Sequence, residues 1–409
     1  MGAVTPPSTP RQPTTPGHVL VACDKFKGSL TVTEVVAAIR AGVADAAPGI
    51  AVESVLVADG GDGTLAAAES VGFRHVPVTV AGPTGEPVQS GYAVRAGTAV
   101  VEMADCCGIV HLPGGVKAPL TATSRGLGEM LAAALDARSD DGEPLVHEVI
   151  LGIGGSASTD GGAGMLAALG ARLLDAAGEP VADGGGPLAD LASIDLSALH
   201  PRLAEVTLTL ASDVTNPLLG ERGTVAIFAP QKGAGPFEQA ALEAALAHYA
   251  QLITDATGRD NRDRPGAGAA GGVGYAALAV LGARMRPGIE IVLDLVDFTA
   301  QAAGAALVIT GEGSLDRQTL LGKTPAGVAA AARAHGIPVV AVCGRAILTD
   351  ADRTEVEATG IRRIYALSEI EPDPEHSMRD AGPLLRRLSA QVATDWLVAG
   401  STPAVGERA

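Results

Sequence analysis

Aromatic side chains and positive charges are both scarce in this chain. Its 409 residues include five Phe, four Tyr and one Trp, and 46 Asp and Glu outnumber 29 Lys and Arg for a formal net charge of −17. Nucleic-acid binding needs basic surface, and single strands also need aromatic stacking platforms. Anionic membranes likewise attract basic proteins. We therefore expect no nucleic-acid partner and no membrane partner.

Cysteines and long apolar runs are also few. The four Cys form no C-x-x-C pair, so the sequence favours a reduced, cytoplasmic protein. The longest helix-like apolar stretch, 271–283, is shorter than the roughly 18 residues that a membrane-spanning helix requires. Residues 1–17 are rich in Pro and Thr and have no apolar core, so we expect a disordered tail there rather than a signal peptide.

Strands and helices alternate at both ends of the chain. Thr31 and Glu34 form a capping-box pattern at the start of the first helix, and Thr324 and Pro325 open a later one. Short continuous apolar runs are typical of strands buried on both faces of a parallel sheet. Five such strands are predicted at 18–23, 52–57, 306–310, 338–343 and 363–367, with a helix at 63–71 after the second.

The middle of the chain differs in character. Strands predicted there, at 99–102, 146–151, 207–211 and 225–229, are interleaved with Ala-rich helices such as 237–257. Because strands of the first kind come from both chain ends, the sequence predicts an α/β protein with a discontinuous domain. Its predicted bounds are 18–78 and 298–400, with a second α/β domain, 79–297, inserted.

Glycine clusters at strand-to-helix corners are candidate anion sites, because backbone amides and helix N-termini meet there. Residues 266–271 fit G-x-G-x-x-G but follow no predicted strand. Residues 152–157 fit G-x-G-x-x-A, but no acidic residue is predicted to end a partner strand about 20 positions on, because Asp175 lies in a D-A-A-G turn pattern. Arg317 replaces the first glycine of a Walker A pattern ending at Lys323. An oxidoreductase that binds a dinucleotide at 152–157 stays an alternative, and so does a two-domain small-ligand sensor.

Lysine is used sparingly and in loops. The chain has five Lys against 24 Arg, and four of the five lie in segments 24–29, 230–233 and 322–325. A compact ammonium on a flexible stem suits a phosphate group that changes shape during transfer. We therefore predict that Lys27, with Lys232 or Lys323, neutralises phosphate.

Acidic residues supply the other half of a metal and phosphate site. Asp59 and Asp62 flank two glycines directly after a strand, where ligands meet open parallel sheets. Two carboxylates suffice for Mg²⁺, which keeps waters and phosphate oxygens as its other ligands. Asp213 is a further candidate, and Arg125, at a predicted helix start, is placed to bind a substrate carboxylate.

Together these segments resemble the type I glycerate kinase family, in family order from about residue 18 to 400. The matching stretches are DKFKGSL (24–30), VADGGDGT (57–64), VEMA (101–104), TSRG (123–126), GIGGSASTDGGAG (152–164), SDVTNPL (212–218), PQKGA (230–234), PGAGAAGG (265–272) and TGEG (310–313), with Asp316, Gly322 and Lys323. The resemblance implies a flavodoxin-like domain from both chain ends, an inserted α/β domain and an active site in the cleft between them. It also implies ATP and Mg²⁺ as co-substrates and 2-phosphoglycerate as product.

The resulting hypothesis is phosphoryl transfer from ATP to the 2-hydroxyl of D-glycerate by a cytoplasmic monomer or homodimer. Asp213 is predicted to accept the hydroxyl proton and Arg125 to hold the substrate carboxylate. The predicted catalytic residues are Lys27, Asp59, Arg125 and Asp213; the predicted nucleotide-binding residues are Gly154, Gly155, Ser156, Lys232, Gly311, Glu312 and Lys323; the predicted metal ligands are Asp59 and Asp62.

Overall fold

Both chain ends contribute strands to one sheet in the computed structural model, which describes residues 17–320 and 323–398. The chain divides into two compact units. Over the described residues, unit 1 contains 17–55, 299–317 and 328–398, and unit 2 contains 56–298 and 318–327. The strands, in chain order, are β1 Val19–Cys23, β2 Val52–Ser54, β3 Arg74–Ala81, β4 Pro87–Arg95, β5 Thr98–Glu102, β6 Glu148–Gly152, β7 Arg172–Asp175, β8 Leu191–Asp195, β9 Thr207–Ala211, β10 Arg284–Arg286, β11 Leu307–Leu315, β12 Val339–Ala346 and β13 Ile361–Ala366.

The helices follow the same alternation with the strands. In chain order they are α1 Val32–Ala46, α2 Thr64–Ser70, α3 Ala104–Cys107, α4 Arg125–Asp136, α5 Ala163–Ala168, α6 Thr224–Phe228, α7 Pro236–Thr257, α8 Val273–Ala279, α9 Gly288–Leu295, α10 Phe298–Ala302, α11 Arg317–Leu320, α12 Thr324–Ala334, α13 Asp350–Thr359, α14 Pro374–Arg379 and α15 Ala381–Leu397. Over residues 17–320 and 323–398, none of them combines the length and hydropathy needed to cross a bilayer.

Unit 1 contains a five-stranded parallel sheet in the order β2-β1-β11-β12-β13. Numbered within the sheet, this is the 2-1-3-4-5 order of flavodoxin-like folds. The predicted parallel sheet with strands from both chain ends is therefore confirmed. All five residues of β1 are buried, as expected for a central strand covered on both faces.

Helices α1 and α15 cover one face of this sheet. The Thr31 hydroxyl accepts the Glu34 amide and the Glu34 carboxylate accepts the Thr31 amide, which confirms the predicted capping box. Gly42 lets the two helices approach closely, since a Cβ there would lie 2.2 Å from the Arg386 carbonyl oxygen. Apolar residues of both helices, including Ile39, share one buried core with the sheet.

Unit 2 contains a six-stranded sheet in the order β10-β9-β6-β5-β4-β3. The strands from β10 to β5 run parallel, whereas β5-β4-β3 form an antiparallel meander. A separate two-stranded antiparallel ribbon joins β7 and β8. Helices α4 and α7 bury apolar residues such as Leu131 and Leu246 in the main core of this unit.

One expectation about the central block needs correction. The strand predicted at 225–229 is wrong, because residues 224–228 form α6 and the sheet position beside β9 belongs to β10. A five-residue apolar run does not separate a buried strand from a buried helix turn. Residues 56–78, assigned from the sequence to the discontinuous domain, lie in unit 2, where Leu65 of α2 is buried with Val100 and Ile150.

Candidate active site

The carboxyl edge of the six-stranded sheet gathers most of the predicted site residues of unit 2. The parallel register aligns Glu102, Gly152 and Ala211 at the ends of β5, β6 and β9. The loop 152–158 and Asp213 follow directly after the last two of these strands. Open parallel sheets bind ligands at this edge, so the fold brings these sequence motifs together at the expected place.

The loop 59–63 lies over this edge in close backbone contact. A Cβ on Gly154 would come within 2.4 Å of the Gly61 Cα, and one on Gly60 within 2.7 Å of the Gly288 Cα. Gly60 also has φ +83°, a conformation that favours glycine. The glycines therefore let the loop that carries the Asp59 and Asp62 carboxylates pack directly on the neighbouring loops.

Asp213 has one engaged and one unengaged oxygen. Its Oδ1 accepts the Gly288 amide at 3.0 Å, at the first residue of α9. Its Oδ2 is buried and finds no hydrogen-bond partner in the described part of the chain. Burial raises the pKa of this carboxyl to about 7, and the negative charges of Asp59 and Glu290 add to the rise. A carboxyl with that pKa can take up a proton near neutral pH.

Lys232 lies beneath the loop 152–158 and is 3% exposed. Its Nζ donates to the Ser156 hydroxyl at 2.6 Å and to the Ser158 carbonyl at 2.5 Å. Burial lowers the pKa of the ammonium to about 7, and Asp160 partly offsets this effect. Lys232 and Ser156, both predicted to bind nucleotide, are therefore in contact, with the ammonium turned into the protein.

Asp160 joins the start of α4 to the start of α5. Its carboxylate accepts the Ser124 amide and hydroxyl, each at 2.8 Å, and the amides of Gly162 and Gly164 at 3.2 Å. The Ser124 hydroxyl in turn accepts the Met165 amide at 3.0 Å. This buried network fixes the backbone that leads into Arg125.

The Arg125 guanidinium is paired within the protein. Its Nε and Nη2 donate to the two Asp183 carboxylate oxygens at 2.6 and 2.7 Å, a bidentate pair that raises the pKa of Arg125. Sequence reasoning missed Asp183, which lies in the VADGGG stretch far along the chain from Arg125. A substrate carboxylate at Arg125 therefore has to compete with an internal one.

Glu102 is a functional candidate that sequence reasoning did not single out, although it lies in the matched stretch VEMA. It is 4% exposed and accepts the amides of Gly63 at 3.1 Å and Leu65 at 2.8 Å. Burial raises the pKa of the Glu102 carboxyl to about 7, against the lowering effect of these hydrogen bonds. Only its place at the end of a strand marks it in the sequence.

Unit 1 holds a second group of predicted site residues at the carboxyl edge of its own sheet. The Asp24 amide donates to the Gly311 carbonyl at 2.9 Å, directly after β1. A Cβ on Gly313 would lie 3.0 Å from the Lys27 amide nitrogen. Lys27, Gly311 and Glu312 therefore lie on adjoining segments.

Lys323 belongs to unit 2 and precedes α12. Four residues on, Gly327 packs so closely on α9 that a Cβ there would lie 2.4 Å from Ile289 Cγ1. Ile289 follows Gly288, whose amide binds Asp213. The segment that carries Lys323 is thus connected, through one helix contact, to the Asp213 side of the site.

The oxygen donors at this edge suit a hard divalent cation. Asp59 and Asp62 supply carboxylates from the loop that packs on this edge. Within residues 17–320 and 323–398, however, no group of three or more His, Cys, Asp or Glu side chains could hold a metal alone. Mg²⁺ fits such a site, because it binds one or two carboxylates and completes its shell with waters and phosphate oxygens.

Comparison with known proteins decides the family. The family described as the glycerate kinase family matches residues 19–397. The chain is 41% identical over 378 residues to glycerate kinase of Bacillus subtilis strain 168, covering 92% of this chain and 96% of that protein. The chain belongs to the glycerate kinase family. The family resemblance expected from the motifs is confirmed.

Two further members of the glycerate kinase family are similarly close. Glycerate 2-kinase of Escherichia coli strain K12 is 41% identical over 380 residues, covering 92% of this chain and 97% of that protein. The crystal structure of putative glycerate kinase 2 from Salmonella typhimurium LT2 aligns with a TM-score of 0.74 at 41% identity. That alignment covers 92% of this chain and 97% of that one, so the likeness extends over both units.

Proposed function

We propose that this protein is a glycerate kinase that transfers the γ-phosphoryl group of ATP to the 2-hydroxyl of D-glycerate, giving 2-phosphoglycerate and ADP. Family membership and the 41% identity to a glycerate 2-kinase support this activity. The observation that carries the chemistry is Asp213, whose buried Oδ2 is without a partner in the described chain at the carboxyl edge of the sheet. A proton acceptor among glycine-rich loops that can bind phosphate suits phosphoryl transfer to an alcohol.

Asp213 is the residue we assign to the reacting hydroxyl. As the C2 oxygen forms its bond to the γ-phosphorus, the bond from that phosphorus to the ADP oxygen breaks and the hydroxyl proton passes to Asp213. The Gly288 amide holds Oδ1 and leaves Oδ2 for this proton. A pKa of about 7 keeps a useful fraction of the carboxylate ionised at neutral pH and also lets it hold the proton.

We assign Asp59 and Asp62 to hold Mg²⁺, with Asp213 beside them. When bound, the cation supplies neutralisation of the phosphate charge, which phosphoryl transfer needs more than covalent help. The close packing of Gly60 and Gly61 on the neighbouring segments supports this assignment, because it holds the loop that carries both residues at the sheet edge.

Backbone amides and ammonium groups are the groups that we assign to bind the phosphates of ATP. We assign the amides of 154–156 and of Gly311, the Glu312 segment and the Lys27 and Lys323 ammonium groups to ATP. Lys232 is buried against Ser156 and Ser158. We therefore assign it to shaping this loop rather than to touching phosphate.

Arg125 remains our choice for the glycerate carboxylate. Bidentate recognition of a carboxylate is what a guanidinium does well, and its present partner, Asp183, is a carboxylate too. Both side chains of this pair are about one-third exposed, so the pair is accessible to a competing anion.

We place the reaction in the cytoplasm. All four cysteines, Cys23, Cys106, Cys107 and Cys343, are free and buried, which suits a reducing compartment. A monomer or a homodimer is expected, and light scattering of the purified protein distinguishes the two.

An ADP-coupled assay with D-glycerate, L-glycerate and related hydroxy acids tests the function, with the phosphorylated carbon identified by phosphorus NMR. We expect ADP release that depends on D-glycerate and a product phosphorylated at C2. A product phosphorylated at C3 would contradict the assigned position. Binding of glycerate without ADP release would favour the sensor alternative, and NADH binding in a fluorescence titration would favour the oxidoreductase alternative.

A further inference from the structure

Glu102 makes an unusual contact for the last residue of a strand. Its side chain crosses to the loop 59–63, where Oε1 accepts the Gly63 amide at 3.1 Å and Oε2 accepts the Leu65 amide at 2.8 Å. Oε2 also lies 3.3 Å from the Gly63 nitrogen. Both carboxylate oxygens are therefore occupied by backbone amides from a segment distant in sequence.

The N-cap residue of α2 supplies no side-chain cap. Gly63 is the N-cap residue of α2, and it has no side chain with which to accept the amides that begin the helix. Its φ of +110° also favours glycine over residues that could cap. The Thr64 hydroxyl donates to the Gly61 carbonyl at 2.8 Å. Over the described residues, the Gly63 and Leu65 amides donate to Glu102 and not to this hydroxyl. The cap comes instead from β5.

The charge of Glu102 is not needed to fill the core. It is 4% exposed at the end of a strand whose other residues are mostly apolar and buried. An apolar side chain of similar size would fill this space but would leave the Gly63 and Leu65 amides without these acceptors. What the carboxylate adds is two acceptor oxygens, which take up the Gly63 and Leu65 amides.

We propose that Glu102 is a positioning residue for phosphoryl transfer, which holds the loop 59–63 on the sheet edge and so places Asp59 and Asp62. This inference rests on the proposed function for the meaning of that loop. Since both of its oxygens are engaged by amides, Glu102 acts through the loop and does not touch substrate.

The test compares two variants of Glu102 with a matched control. Glu102→Gln keeps the shape but turns one acceptor oxygen into an NH₂ group that faces an amide N–H. Glu102→Asp keeps the charge but is one methylene shorter, so it is expected to lose one of the two amide contacts. The control is Val101→Ala on the same strand, a fully buried residue whose side chain belongs to the main core of unit 2.

Hydrogen exchange of the full-length protein, followed on peptides spanning 59–65, reads the loop directly. Glu102→Gln is expected to speed exchange of the Gly63 and Leu65 amides at least about tenfold, with Glu102→Asp between it and wild type. Val101→Ala is expected to lower the melting temperature without changing exchange of this segment selectively. Wild-type exchange in Glu102→Gln would overturn the proposal; if that variant does not fold, wild-type exchange in Glu102→Asp would do so.

Kinetic measurements test whether the position of the loop 59–63 affects the reaction. Loss of an outer partner of metal-binding groups typically costs about 10- to 100-fold, so Glu102→Gln is expected to lose that much kcat/KM for MgATP and to recover part of it at high Mg²⁺. Val101→Ala is expected to stay within about threefold of wild type. Equal activity losses in Glu102→Gln and Val101→Ala would show a merely structural role. A wild-type protein inactive on glycerate would refute the proposed function, while the exchange data would still decide what Glu102 holds.

Discussion

Replacing Asp213 by Asn separates the chemistry of this carboxyl from its structural role. The Asp213→Asn side chain retains an oxygen for the Gly288 amide, but an NH₂ group takes the place of the buried Oδ2. That group cannot accept the glycerate proton, and loss of a general base typically costs about 10² to 10⁴ in rate. We expect kcat to fall by this factor while KM for glycerate changes only a few-fold.

The same substitution should stabilise the protein at alkaline pH. The pKa of Asp213 rises from 3.8 to about 7 on folding, worth about 4 kcal/mol at 1.36 kcal/mol per unit if unscreened. Because the carboxyl is only partly buried, screening reduces this to about 1 to 2 kcal/mol. Because the pKa of Asp213 is raised on folding, its protonated carboxyl contributes to stability below about pH 4. That contribution is lost as the pH rises through about 7.

Urea unfolding of wild type and Asp213→Asn at pH 5 and pH 8, with EDTA present, measures this difference. The variant should exceed wild type in free energy of unfolding by about 1 to 2 kcal/mol at pH 8 and by less at pH 5. Asp294→Asn is the control, since Asp294 is an exposed carboxylate on α9 that pairs with Arg286, and we expect it to change stability by less than about 0.5 kcal/mol. Wild-type kcat in Asp213→Asn would refute the assigned base, and a pH-independent stability difference would refute the burial argument.

Three further substitutions test other parts of the site. Lys232→Met removes the two hydrogen bonds beneath the loop 152–158, so we expect a raised KM for ATP. An unchanged KM for ATP would contradict its role in shaping this loop. Asp183→Asn weakens the internal competitor of Arg125 and should lower KM for glycerate, whereas a raised KM would show that the pair only builds structure. Gly154→Ala places a Cβ 2.4 Å from the Gly61 Cα and should lower kcat. Its control is Gly49→Ala, whose Cβ meets nothing within 4 Å and should leave kcat unchanged. Equal kcat values in the two variants would contradict the close loop packing.

Local chemistry made much of the fold predictable from the sequence. The capping box at Thr31, the apolar run of β1 and the long helix α7 all depend on neighbouring residues, and the structure has each of them. The segment 225–229 failed because a short apolar run fits a buried strand and a buried helix turn equally well. The antiparallel strands β3 and β4 were not predicted, because β3 is largely exposed and β4 is buried only along its second half, so neither resembles the apolar runs of the parallel strands.

The position of several candidate residues at the sheet edge was predictable from the sequence, but their side-chain pairings were not. Gly-rich loops after strands identified Asp59, Asp213 and 152–158, because the carboxyl edge of a parallel sheet is fixed by the fold class. The pairing of Arg125 with Asp183 and the reach of Glu102 to Gly63 join distant parts of the chain. Such contacts depend on tertiary packing, and nothing in the local pattern of a single sequence specifies them.

The central claim is that this chain phosphorylates the C2 hydroxyl of D-glycerate with ATP. One measurement tests it most directly: purified protein is incubated with ATP, Mg²⁺ and D-glycerate, and the product is read by phosphorus NMR. We predict a proton-coupled doublet from a phosphate on the single-hydrogen C2 carbon, together with stoichiometric ADP. A phosphate on the CH₂ carbon, or no glycerate-dependent ADP, would contradict the account.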